Sequence, residues 1–259
     1  MFILTNGGEN IANSKIYISY TSISTFRTCK RKFKFKYIDR VSAAPVKSPF
    51  LSLGVSVHNT LAEFNMLPKE WQTADSLMQL LKRHWVSDGY KNSKIEENFL
   101  KRAQNMLLNY CSERRDMGNI ILCEEFLKQD INKNLILLGK IDKLYLNENG
   151  ILEVLDYKAG YTALSKEEFE NNIQLPIYAL LTKYRFNKLP KVISYYYLVP
   201  NQKISIELTK TILENGIYNL KKVINEILSE KDFPYNSSNN CKNSCEYYNL
   251  CEAFNVKAN

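Results

Sequence analysis

The stretch LDYKAG, residues 155–160, sets a carboxylate and an amine two positions apart at the end of the apolar run ILEVL. On a strand, residues two apart share a face, so Asp156 and Lys158 project together while Tyr157 points the other way. The preceding strand carries a second acid, Asp142, in GKIDKLY. A three-residue loop, Glu148-Asn149-Gly150, would join the two strands, with Gly150 supplying the left-handed residue such loops use. That loop sets Asn147 opposite Ile151 and therefore Asp142 opposite Asp156. Facing side chains have Cβ atoms about 4.5–5.5 Å apart. Two carboxylates so close repel unless a cation lies between them, and a hard divalent ion, Mg²⁺ or Mn²⁺, would take both as oxygen ligands. The alternative is a surface hairpin with scattered charges. Against it, Asp156 and Lys158 close a run in which four of five residues are aliphatic, where a charge is partly desolvated and needs partners.

The elements that must hold these groups follow from periodicity. Thr21 and Ser22 can cap a helix in which Ile23, Phe26, Phe33 and Tyr37 fall at helical spacing. Its other faces carry Arg27, Lys30, Arg31, Lys32, Lys34 and Lys36. LGVSVHNTLAEFN (53–65) predicts a second helix, with Val57, Leu61 and Phe64 on one side and His58 near them. Two amphipathic segments within about 68–118 read as a helical insertion. From about 120 the pattern turns to strands: ILCEEFLKQDI, NLILLGKIDKLYLN and ILEVLDYK. Ser165 with Glu168 three residues on is a capping box for a helix over 165–186, bent by Pro176. On that helix Gln174 and Tyr178, four apart, are neighbours. VISYYYLVP and KISIELT predict a hairpin, and residues 212–228 a last long helix. This order predicts an α/β chain with helices flanking a central mixed sheet.

Composition narrows the function classes. The chain has 259 residues, is 45% hydrophobic and carries a formal net charge of +8, which favours a polyanionic partner. No run of about 18 apolar residues occurs, so no membrane span is expected. The first residues lack the basic and long apolar regions of a signal peptide, so a cytoplasmic location is expected. In that compartment six cysteines are metal ligands or buried thiols rather than disulfides. No GxxxxGK[ST] frame is present, so no nucleotide-binding P-loop is expected.

GKIDK followed by LDYK resembles the acidic and D-x-K motifs of the PD-(D/E)XK nucleases. QLPIY resembles the Q-x-x-x-Y motif of their RecB-like exonuclease branch, LGVSVH its G-x-x-x-H element, and ISYTSISTFRTCKRKFKFKY its N-terminal helix with a cysteine. Each motif is weak alone; five in the right order are strong. The resemblance implies a restriction-endonuclease-like core in one nuclease domain over residues 16–254. It implies that His58, Asp142 and Asp156 bind the metal together with the backbone carbonyl of Tyr157. It implies that Lys158 orients or helps deprotonate the attacking water and stabilises charge on the phosphate, and that Gln174 and Tyr178 position the DNA strand end. Lys143 stands where the family usually has Arg.

Cys241, Cys245 and Cys251 crowd the tail, and three ligands leave a tetrahedral site one short. Cys29, Cys111 and Cys123 are the remaining thiols. The resemblance singles out Cys29, which with the three C-terminal cysteines would hold a [4Fe–4S] cluster joining the tail at 233–254 to the N-terminal helix. Four thiolates also suit Zn²⁺. The first gap has three intervening residues where the family usually shows two. Cys111 and Cys123 read as buried thiols.

The expected activity is a Mg²⁺- or Mn²⁺-dependent deoxyribonuclease, an exonuclease on single strands or DNA ends, in repair, recombination or defence. Two rivals stand beside it: a CRISPR-adaptation nuclease that trims DNA before integration, and a non-catalytic iron–sulfur DNA-binding subunit. A separate helicase or a CRISPR integrase would be the corresponding partner. Phe33, Phe35 and Tyr37 among the N-terminal lysines are expected to supply stacking along a single strand, or else to be core.

Overall fold

Ile16–Ile18 forms a short strand, β1, and Ser19 caps the helix that follows. Ser22 N–H donates to Ser19 Oγ (3.1 Å), and Ser19 N–H donates to Ser22 Oγ (2.8 Å). The cap therefore lies ahead of Thr21 and Ser22, because the residue that leaves the strand in extended geometry is Ser19. The helix does not run on to Tyr37. It breaks at Cys29, whose backbone is extended (φ −157°), into α1 (Tyr20–Thr28) and α2 (Lys30–Phe33), followed by a π-helical turn at Lys34–Ile38. At the break, Cys29 Sγ accepts N–H groups from Lys32 and from Asn236, each at 3.5 Å. The structure is a computed structural model describing residues 15–160, 172–237 and 241–254 with Ser165 and Glu168.

Three helices follow: α3 (Pro49–Met66), α4 (Ala74–His84) and α5 (Ser93–Ser112), each opened by a capping side chain from Ser48, Thr73 or Asn92. Next come β2 (Gly118–Asp130), β3 (Leu135–Asn147), β4 (Leu152–Lys158), α6 (Gln174–Phe186), β5 (Val192–Tyr197), β6 (Gln202–Glu207) and α7 (Lys210–Ser229). A four-residue helix, α8 (Cys241–Ser244), lies in the tail. The capping-box bonds of Ser165 and Glu168 are present, at 2.8 and 3.2 Å. The predicted helix over 165–186 is nevertheless interrupted: Asn172 and Ile173 are not helical, and residues 166, 167 and 169–171 lie outside the described set. Pro176 consequently sits in the first turn of α6, where its missing N–H would have had no intrahelical partner, and no bend is needed.

The sheet runs β1-β3-β4-β5-β6, with β2 on the other edge of β3. β1 pairs in parallel with Leu135–Leu137 of β3, and β4 pairs antiparallel with Lys143–Leu146. Both partners thus share one edge of β3, leaving a split between them. The hairpin register is the expected one: Asn147 N–H donates to Ile151 O at 2.9 Å, Lys143 faces Leu155, and Gly150 has φ 70°.

Helices cover both faces. Side chains from α1, α2, α6 and α7 pack on one face with Val154 and Tyr195. Side chains from α3, α4 and α5 pack on the other with Leu155, Tyr157 and Tyr196. The helices of 68–118 therefore contribute Leu77, Leu80, Leu81, Ala103, Met106, Leu107 and Tyr110 to the second core. Gly139 of β3 lets α6 approach closely, since a Cβ there would lie 2.6 Å from Leu181 Cδ1 and 3.0 Å from Tyr178. Phe33 is fully buried in the first core and cannot stack on a nucleobase. Among the described residues, no helix is long and apolar enough to cross a membrane.

Candidate active site

The split between β1 and β4 opens beside Asp142. Beyond the last ladder pair, Lys143 with Leu155, β4 parts from β3 while its other edge stays paired in parallel with β5 from Glu153 through Lys158. In place of the next rung, Tyr157 N–H donates to Asp142 Oδ2 at 2.8 Å. That bond ties the second acid to the D-x-K strand. Asp156 and Lys158 project to one side, with Lys158 Nζ 2.6 Å from Asp156 Oδ2. Tyr157 points to the opposite core, as the alternation requires.

His58 enters from α3, its Nδ1 lying 2.8 Å from Glu124 Oε1 and 3.3 Å from Asp142 Oδ2. One ligating atom each from His58, Glu124 and Asp142 falls within 4.8 Å of the others. Glu124 was not among the expected site residues. It lies on β2 in left-handed conformation (φ 50°), between the pairs Cys123 with Lys143 and Glu125 with Ile141, where it meets His58 and an ion pair to Lys140. Alternation alone cannot choose between two adjacent glutamates on a strand.

Gln174 and Tyr178 lie in the same cluster. The Gln174 amide nitrogen donates to Asp156 Oδ1 (2.7 Å) and to Tyr178 Oη (2.9 Å). Its oxygen accepts from Lys158 Nζ (2.9 Å) and Tyr195 Oη (3.0 Å). One amide therefore holds both the acid and the base of LDYK. Lys158 Nζ also stands 4.6 Å over the Tyr195 ring.

The electrostatics match a cation site. Burial raises the Asp156 carboxyl and neighbouring Asp142 adds to it; Lys158 opposes, and the result is about 6. Burial alone would lower the His58 imidazole, but Asp142 and Glu124 outweigh it and hold the ring well above its ordinary value. Burial would likewise depress Lys158, yet Asp156 beside it keeps the ammonium charged. His58, Glu124 and Asp142 bring an imidazole and two carboxylates together, a mixed oxygen and nitrogen donor set that suits a hard divalent ion, with Asp156 lining the same cleft beside them. These groups open into one cleft of about 670 Å³.

Lys143 faces away from the cleft. It is fully buried, with Nζ 2.6 Å from Asp116 Oδ2 and 2.9 Å from Asn65 Oδ1. Tyr157 Oη donates to the same Asp116 carboxylate, and Arg114 Nε contacts it at 3.2 Å. This buried network grips the back of the D-x-K strand. Burial would raise Asp116, but Lys143 and Arg114 outweigh it and hold it at about 2.

Cys29, Cys241, Cys245 and Cys251 line a single cavity with Lys32 and Phe35. Cys111 packs against the α3–α5 core, and Cys123 lies on β2. Much of the basic N-terminal segment pairs with C-terminal acids: Lys30 with Glu230 at the end of α7, and, in the tail, Arg31 with Glu252 and Lys32 and Lys36 with Glu246. Phe35 lies tilted against Tyr247, with ring centroids 5.4 Å apart. The predicted single-strand stacking surface on this segment is thus a docking surface for the chain's own C-terminus.

A search of curated proteins returns no match. Among solved structures, the one described as "Crystal structure of SSO0001" is 15% identical with a TM-score of 0.39, over 93% of this chain and 88% of that one. Likeness at that level carries no weight for fold or function. The family model does: the one describing the PD-(D/E)XK nuclease superfamily matches residues 17–252, spanning every element that brings Asp142, Asp156 and Lys158 together, and the chain belongs to that superfamily.

Proposed function

We propose that the protein is a metal-dependent deoxyribonuclease of the RecB-like branch, cleaving phosphodiester bonds in single strands or at DNA ends during repair or recombination. The observation that supports this most is the meeting of His58, Asp142, Asp156 and Lys158 where β3 and β4 part. His58, Asp142 and Asp156, with the Tyr157 carbonyl, would hold Mg²⁺ or Mn²⁺, and Glu124 joins them. The ion, when bound, supplies Lewis acidity toward the phosphate and a water nucleophile at neutral pH. Lys158, kept charged by Asp156, offsets negative charge developing on the phosphate oxygens. Gln174 fixes Asp156 and Lys158 relative to each other, and Tyr178 closes that side of the cleft where a strand end would lie.

The four cysteines would hold a [4Fe–4S] cluster, since an all-thiolate set suits iron–sulfur ligation. Zn²⁺ is the lesser alternative. Around tetrahedral zinc the sulfurs would lie within about 4 Å of one another. Among the described residues, the group of three or more ligating side chains drawn within 4.8 Å is His58, Glu124 and Asp142, not the thiols.

The test is degradation of end-labelled single- and double-stranded DNA by purified protein, with Mn²⁺ and with chelator. Mn²⁺-dependent shortening of the labelled strand is expected. No shortening in either Mn²⁺ or Mg²⁺ would overturn the reading.

A further inference from the structure

The cleft has an unusual wall. Upstream of His58 on α3, Leu51 and Val55 stand seven and three residues before it and Gly54 four before it, so all three share its helical face. Leu51 is 61% exposed and Val55 50%, and Phe50 beside them is 66% exposed. All four line the same cleft as Asp142, Asp156 and Lys158. Large aliphatic and aromatic side chains left in water beside a charged centre need an occupant that covers them. Phe50 is braced from behind, its ring edge-on to Phe99 of α5 at 5.2 Å, and Phe99 in turn meets Tyr90 at 5.6 Å.

Gly54 is the second observation. A glycine inside a helix weakens it, and packing among the described residues gives no reason for one here, because a Cβ at Gly54 would meet none of them within 4 Å. The space above it is the cleft itself. Something that approaches the helix backbone one turn before His58 would account for the missing side chain.

We propose, resting on the nuclease reading, that Phe50, Leu51, Gly54 and Val55 form a ledge for the unstacked bases of a single-stranded nucleic acid whose phosphate lies at the His58–Asp142–Asp156 centre. The occupant must present an apolar face within one nucleotide of an anionic group. A base next to its own phosphate does so, and the net charge of +8 suits the backbone that carries it. In a duplex both faces of each base are covered by stacking neighbours, so the ledge is useful only to a strand whose bases are unstacked. The ledge thereby selects single strands and frayed ends.

The test compares binding of fluorescent oligothymidylate with binding of an abasic oligodeoxynucleotide of equal length, in Ca²⁺, together with Mn²⁺-dependent cleavage of single-stranded DNA. Stacking on such a surface is worth about 1–3 kcal/mol per base, so wild type should prefer the base-bearing strand by roughly tenfold or more. The double variant Phe50→Ala/Leu51→Ser should lose most of that preference. Gly54→Leu should keep or raise the melting temperature, because the site has room, yet lose binding of the base-bearing strand. Equal binding of the two strands by wild type, or an undiminished preference in the double variant, would overturn the ledge while cleavage leaves the nuclease reading standing. Absence of both binding and cleavage would overturn the two together.

Discussion

Asp156 illustrates how a single residue ties burial to chemistry. Its carboxyl is held at about 6 by burial and by Asp142, so an incoming cation must compete with a proton below that value. Mn²⁺ affinity is expected to rise with pH up to about 6, by as much as tenfold per pH unit from this group, and more where His58 also releases a proton. Isothermal titration across that range checks it, and an affinity independent of pH would contradict it. Lys158→Ala should lower cleavage by about a hundredfold or more while Mn²⁺ still binds, because an ammonium is no ligand; loss of metal binding would reverse that division of roles. Glu124→Gln should weaken Mn²⁺ binding by roughly tenfold, a loss typical of supporting ligands. The placement of Asp142, Asp156 and Lys158 at the end of one hairpin was legible because a defined loop fixes its register. Glu124 was not, since the left-handed twist that turns it toward His58 is a local backbone event with no residue signature.

At the scale of elements, the centre depends on where strands stop pairing. β4 leaves β3 after Leu155, and the Asp116–Lys143–Arg114 network holds Tyr157 from behind at that point. Asp116→Asn would leave two buried cations poorly balanced and should cost about 3–5 kcal/mol, measurable by denaturant unfolding; a loss below about 1 kcal/mol would show that the network is not structural. Because Asp116 is held at about 2 against an unfolded value near 3.8, its contribution is complete above pH 4 or so. It is lost as the pH falls from there toward 2. Hydrophobic spacing announced most of the helices and strands. It missed the break at Cys29 and the late start of α6, because apolar periodicity continues through both while thiol and proline geometry decide them.

For the whole molecule, the helices after β1 and the cysteine-rich tail meet on one surface. Ion pairs from Arg31, Lys32 and Lys36 bring the tail to α2 and the π-helical turn after it, and the four cysteines line the cavity there. Anaerobically purified protein should therefore be brown, with about four iron atoms per chain. Cys29→Ser should bleach it and lower its melting temperature, while Cys111→Ser and Cys123→Ser leave the colour unchanged. A colourless, zinc-loaded wild type would remove the cluster but keep the four-cysteine site. That Cys29, rather than Cys111 or Cys123, lines a cavity with the tail cysteines was suggested only by the family resemblance, since spacing cannot say which distant thiol would complete a set of three. The central claim, that Asp156 serves a metal-dependent nuclease centre, is tested most directly by comparing wild type with Asp156→Asn on end-labelled single-stranded DNA in Mn²⁺. Cleavage should vanish in the variant while its DNA binding and melting temperature persist; cleavage at the wild-type rate by Asp156→Asn would contradict the account.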